Sequence, residues 1–144
     1  MSKVEEVLLS FKEGFSCSQI IPFTYGPELN LDRETAMKIS AAFGAGLSRS
    51  GNICGAVSSA IMVISLKHGY SRVGDSEGKE KIFSLVNEFI KSFIYLNGSV
   101  QCSDLIGCYL STDEGLTLAR EKNLFHTVCP KFIADAAILM EQVL

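Results

Sequence analysis

GNICGAVSSAIMVISLKHG, Gly51 to Gly69, is the stretch that decides the fold. From Ile53 to Leu66 it is apolar around nearly the whole circumference of a helix, as expected of an element surrounded by others. The window is shorter than the roughly 20 residues of a bilayer span and is interrupted by serines, so it predicts a buried core helix rather than a membrane one. Gly55, Ser59 and Val63 lie along one ridge with Ala56 and Ala60 beside it, and small residues at that spacing let a neighbouring backbone approach closely.

Outward from this helix, apolar residues recur at helical spacing almost throughout, and alternating strand-like segments are scarce. The reading is an all-α fold, a compact single domain over residues 1–144 with about six to seven helices. Val4, Val7, Leu8 and Phe11 form one face of a first helix that Gly14 terminates. Ser16 and Gln19 make a capping-box pattern for a second helix with Cys17 in its first turn, shortened or bent by Pro22. Asp32 caps a third, whose inner face takes Met37, Ile39, Ala42 and Phe43, and FGAGLSRSGN ends it as a tight corner or a ligand-contacting loop. A long helix from Lys79 to Leu96 carries a stripe of Ile82, Phe83, Val86, Phe89, Ile90 and Phe93. Ser99 caps a short turn holding Cys102 and Leu105, which Gly107 stops just before Cys108. Ser111 and Glu114 open a helix to about Lys122. The last runs from Pro130 with Cys129 as its N-cap and Phe132, Ile133, Ala136, Leu139, Met140 and Val143 as its buried face.

The chain has 144 residues, 47% of them hydrophobic, and a formal net charge of −3. One core of useful size fits this length. Charges of both signs are scattered, so no phosphate-tracking basic face is present and nucleic acid is a poor partner. The N-terminal MSKVEEVLLSFKEG carries glutamates inside its apolar run and has no small-residue cleavage site, which points to a cytoplasmic protein rather than an exported one.

Five cysteines in a reducing compartment are reactive, metal-binding or simply buried, since permanent disulfides are disfavoured there. Cys17, Cys54, Cys102 and Cys129 all fall at or just before predicted helix starts. A helix N-terminus carries roughly half a positive charge and can draw a thiol pKa from about 8.5 toward about 3.5–7.5. Against that stands the habit of free cysteine to act as a small core hydrophobe. There is no CxxC and no HExxH, so any site must be assembled by folding from distant positions. His68, in Lys-His-Gly, reads as a helix-end residue complementing the dipole. His126, three residues before Cys129, can serve as base or ligand beside a thiol. Asp104 reads as a helix-start carboxylate.

GFSCSQ around Cys17, FGAGLSRSGNICGAVSSA around Cys54, CSDLIGCYLSTDEG with Cys102 and Cys108, and NLFHTVCPKFIADAA around Cys129 together resemble a family of redox-active proteins named for its pattern C_GCAxxG_C_C. The resemblance spans nearly the whole chain. It implies a four-cysteine set at Cys17, Cys54, Cys102 and Cys129, with Cys108 an additional candidate. Ser59 stands where the motif closes on glycine; its hydroxyl can bond back to a helix carbonyl and it remains small enough for close packing.

Three functions follow. The first is thiol/disulfide chemistry with a redox partner protein or a small thiol, in which Cys54 attacks, Gly55 leaves room for a second sulfur, and Cys17 or Cys102 resolves the intermediate. The second is a binding module in which Cys17, Cys54, Cys102 and Cys129 hold an iron–sulfur cluster or a zinc ion. The third is a structural helical domain whose cysteines fill space. Four cysteines alone allow three pairings, so sequence leaves the connectivity open.

Overall fold

The computed structural model describes residues 1–144 and is all-α, with eight helices and no strand. α1 (Lys3–Lys12) opens on a reciprocal cap: Ser2 Oγ accepts the Glu5 N–H at 3.1 Å, and the Ser2 N–H donates to the Glu5 carboxylate at 3.0 Å. Val7 and Phe11 are its buried residues, and Gly14 follows its end with a φ of 109°.

α2 (Ile20–Tyr25) begins at Ile20 rather than at Cys17. The expected capping box does not form because its side chains find other partners. Ser16 Oγ accepts the N–H of Ser18 at 3.3 Å, a local turn, while the Gln19 amide donates to the Met37 carbonyl at 3.1 Å. Cys17 is left in a turn between α1 and α2.

α3 (Arg33–Ser40) is capped by Asp32, which accepts the Thr35 N–H at 3.0 Å. Its buried positions are Ala36 and Ser40, not the face through Met37 and Ile39; Ile39 is 49% exposed. A serine can face inward here because its hydroxyl donates to the Ala36 carbonyl, while the Ser40 carbonyl accepts the hydroxyl of buried Ser18 at 2.7 Å. No buried side-chain nitrogen or oxygen in the protein lacks a partner.

After α3 the chain makes the tight corner expected of FGAGLSRSGN, with an unusual backbone. Ala45, Gly46, Leu47, Ser48 and Arg49 have φ of 55°, 66°, 66°, 53° and 70°, so they form a short left-handed turn. Each non-glycine residue in that region costs about 1–2 kcal/mol. Cross-ties hold it: the N–H of Asn52 donates to the Gly46 carbonyl at 3.0 Å, that of Gly51 to Ala45 at 3.3 Å, and Ser48 Oγ to Ala42 at 2.8 Å.

α4 (Gly55–His68) is the central element. Ala56, Val57, Ala60, Val63 and Ile64 are fully buried, and its neighbours are α2, α5 (Ser76–Asn97) and α8 (Cys129–Val143). α5 starts a few residues earlier than the sequence suggests, because Asp75 accepts the Gly78 N–H at 2.9 Å. Its stripe buries Ile82, Phe89 and Phe93, whereas Phe83 turns outward and is 52% exposed. α6 (Cys102–Ile106) and α7 (Asp113–Glu121) are short. Thr112, not Ser111, caps α7 by accepting the Gly115 N–H at 3.0 Å. Ser99 likewise caps no helix: it accepts the Gln101 N–H and donates to Asp104 at 2.8 Å, giving that carboxylate its structural role.

Leu124–Thr127 form a single turn before α8, whose first residue is Cys129, one place inside the N-cap, Val128. Phe132, Ile133, Ala136, Ala137 and Met140 make its buried face. Two long-range bonds fasten it: Tyr25 donates to Glu141 at 2.6 Å, and His68 Nε2 meets the Val143 carbonyl at 3.0 Å, a helix-end role. No helix is long and apolar enough to cross a membrane.

The left-handed turn depends on Gly46, where an added Cβ would lie 2.5 Å from the Asn52 nitrogen, a backbone atom that cannot move aside cheaply. Gly46→Ala is expected to destabilise the protein by about 2–4 kcal/mol, from the strained φ and the overlap together. Thermal or urea unfolding measures it, and a loss within experimental error would show that the turn is not held as described.

Candidate functional site

The chain passes four cysteines to one point by three local devices. The first is the Ser16–Gln19 turn, anchored to the end of α3, which carries Cys17. The second is a two-residue ribbon in which Ile53 bridges Gln101 in antiparallel fashion. The N–H of Cys54 donates to the Val100 carbonyl at 2.8 Å and that of Cys102 to the Asn52 carbonyl at 2.6 Å. Both cysteines stand one residue past the bridging pair, so strand alternation sends their side chains to the same side before α4 and α6 begin. The third is the turn ahead of α8, which delivers Cys129.

Cys17, Cys54, Cys102 and Cys129 line one small apolar cavity with Ala45, Gly55, Leu105, Ile106, Phe125, Phe132 and Ile133. Its volume is about 20 Å³, room for about one water molecule. Cys108 is buried nearby after Gly107 but does not line it. Ser59 lies one turn along α4, buried, with its hydroxyl donating to the Ala56 carbonyl at 3.2 Å, so it serves packing and not the chamber.

Gly55 makes the closest approach of the site. A Cβ there would fall 2.7 Å from Cys17 Sγ and 3.1 Å from the Phe43 carbonyl oxygen. The missing side chain is what lets the Cys17 sulfur rest against the start of α4, and Cys54 is the residue that caps that helix. All five cysteines are free thiols.

Burial governs their acidity. Cys54 is pushed up to about 11 and Cys102 to about 12, first by burial and then by the charge the neighbouring cysteines would carry; Cys129 is raised further for the same reasons. Cys17 is raised as well, its sulfur sitting deep although the residue as a whole is partly exposed. The expectation that helix starts depress these pKa values is therefore corrected: desolvation outweighs the dipole. The dipole still registers locally. Backbone N–H groups of Ala45, Cys17, Gly55 and Ser18 favour a thiolate at Cys17, those of Val57 and Ala56 do so at Cys54, and Cys102 and Cys129 receive no such help.

The mutual electrostatic effects tie Cys17, Cys54, Cys102 and Cys129 into one group. Even so, no three His, Cys, Asp or Glu side chains gather into a set able to hold a metal ion. The space between the four thiols is that of about one water molecule, and as arranged they do not fit a zinc ion or an iron–sulfur cluster.

One side of the chamber opens outward. Cys17, Ala45, Phe125 and Cys129 also line a cleft of about 570 Å³ whose rim includes Arg49, Arg120 and His126. The His126 ring packs at 6.2 Å from Phe11. Sequence reasoning singled out His126 but missed both arginines and Phe125. Arg49 lay inside the glycine-rich stretch already suspected of touching a ligand, whereas nothing in the order of residues marks Arg120 or Phe125.

The search for relatives finds no match among curated proteins and none among solved structures. A family model described as "Putative redox-active protein (C_GCAxxG_C_C)" matches residues 15–143, which takes in all four chamber cysteines, and the chain belongs to that family.

Proposed function

We propose that this protein performs thiol–disulfide exchange in a reducing compartment, with Cys17 as the nucleophile and Cys54 as the resolving thiol. One observation carries the reading: of the four thiols around the chamber, Cys17 is partly exposed and borders the open cleft while resting against the helix start that Cys54 caps. Relative to the sequence-based expectation, the roles of Cys17 and Cys54 are exchanged. Cys54 lies 7% exposed behind Cys17 and meets an incoming sulfur second.

In the first step the Cys17 sulfur loses its proton and attacks one sulfur of a disulfide R–S–S–R′. A Cys17–S–S–R bond forms, and R′S⁻ leaves and takes up a proton. Cys54 then gives up its proton, attacks the Cys17 sulfur and releases RS⁻, which is protonated in turn. Two electrons pass from the cysteine pair to the substrate, which becomes two thiols, and the protein keeps a Cys17–Cys54 disulfide. The four N–H groups around Cys17 stabilise the thiolate as it forms. Cys102 and Cys129 complete the chamber wall.

Because burial holds the Cys17 thiol above the ordinary range, alkylation of Cys17 by a neutral reagent should rise about tenfold per pH unit up to pH 9 without a plateau. Cys17 should react first of the five, and graded oxidation should give a reversible Cys17–Cys54 disulfide in peptide mass spectra that Cys17→Ser abolishes. A plateau near neutral pH, or the absence of any reversible pair that includes Cys17, would overturn the assignment.

The raised thiols also set a pH limit on stability. A thiol with a folded pKa above its unfolded value near 9.0 costs nothing below that pH; above it only the unfolded chain releases the proton, and folding stability falls. Tyr25, raised first by burial and then by its bond to Glu141, adds in the same direction. The urea midpoint of the reduced protein is expected to fall from about pH 8.5 to about pH 10.5, and less steeply in a Cys54→Ala/Cys102→Ala variant. Equal slopes in the two proteins would show that these sulfurs ionise freely in the folded state.

A further inference from the structure

The geometry points to the cleft beside Cys17 as a binding site for a small organic disulfide that carries carboxylate groups. This deepens the thiol–disulfide reading and rests on it. The cleft's volume of about 570 Å³ lies within the usual range of small-molecule sites, about 300–1,000 Å³. It suits two short thiol residues joined through sulfur. Cys17 lies where the cleft meets the chamber, partly exposed but with its sulfur deep, so a slender disulfide reaches it more readily than one fixed on the surface of a folded protein.

The charge of the cleft gives the ligand's sign. Arg49 and Arg120 both line it, and no aspartate or glutamate does. Within a chain of net charge −3, that is a local inversion of sign. The ion pairs of the protein are made by Lys3, Lys38 and Lys131, and neither guanidinium takes part in an ion pair or in a side-chain hydrogen bond. A guanidinium presents a planar fork of donors that matches a carboxylate, and two of them over one concavity suit a ligand with a carboxylate on each side of its disulfide. Phe15 and Phe125 offer the apolar surface that the methylene and sulfur atoms between those carboxylates require. The exchange itself is as written above, with R and R′ now short chains ending in carboxylate.

Two measurements on the full-length reduced protein separate this inference from the reading beneath it. In the first, 3,3′-dithiodipropionate is titrated into the Cys17→Ser protein by calorimetry. Saturable binding is expected, weakened about tenfold or more in Cys17→Ser/Arg120→Gln, because a hydrogen bond to a charged group is lost. In the second, mixed-disulfide formation at Cys17 is timed with dithiodipropionate, with neutral bis(2-hydroxyethyl) disulfide and with cationic cystamine. The anionic probe should react about tenfold faster than cystamine, and Arg120→Glu should reverse that order. Arg120 lies exposed on α7, so either substitution leaves the core untouched, and circular dichroism checks the fold.

No binding, together with equal rates for the three probes, overturns the anionic site while exchange at Cys17 stands. Binding that depends on Arg120 without reaction of any probe overturns the exchange and leaves an anion site that is not its substrate site. Faster reaction of cystamine than of dithiodipropionate overturns the charge assignment.

Discussion

Everything around the chamber depends on the absence of one side chain, at Gly55. The start of α4 is where the turn holding Cys17, the corner after α3 and the ribbon to residues 100–103 all meet, and only a bare backbone lets a sulfur lie that close. The chamber is thus built on close packing and not on charge. Burial raises the pKa of its thiols, and at Cys54 it outweighs the backbone N–H groups of the helix start that favour the anion.

That balance shapes the chemistry the site can do. A thiolate standing ready at neutral pH would react with any oxidant that reached it. A thiol held neutral by burial is protected from such loss, and N–H donors already aimed at its sulfur lower the cost of forming the thiolate. Cys17 is the position at which both conditions meet, since it alone combines several backbone donors, partial exposure and a border on the open cleft. Behind it the packing tightens, and only one water's worth of space separates it from the other thiols.

Much of this was legible in the sequence. The all-α fold, the central position of the helix after Cys54, the Asp32 cap and the buried face of α8 follow from periodicity and capping chemistry, which are local. The convergence of Cys17, Cys54, Cys102 and Cys129 was indicated by the family pattern and, for Cys54, Cys102 and Cys129, by their helix starts. The errors arose where a side chain preferred a distant partner. Gln19 bonds to Met37 instead of capping α2, Ser40 can point inward because its hydroxyl donates to the Ala36 carbonyl, and Phe83 faces outward where the stripe drifts off the core. The acidity of the thiols was misjudged for a related reason: the dipole is a local property readable from a helix start, but desolvation is set by everything that later packs over it. Arg120 was invisible because an exposed arginine on a short amphipathic helix looks the same whether or not a cleft lies beneath it.

The left-handed turn from Ala45 to Arg49 has a wider meaning. Most of its residues would abandon that backbone in a free peptide, so its shape is supplied by the completed fold and not by the segment itself. One wall of the cleft, the N–H of Ala45 that faces Cys17 and the position of Arg49 therefore all depend on that one turn. Losing this one turn would therefore disturb a cleft wall, a backbone donor to Cys17 and a guanidinium at once, while leaving all five sulfurs in the chain.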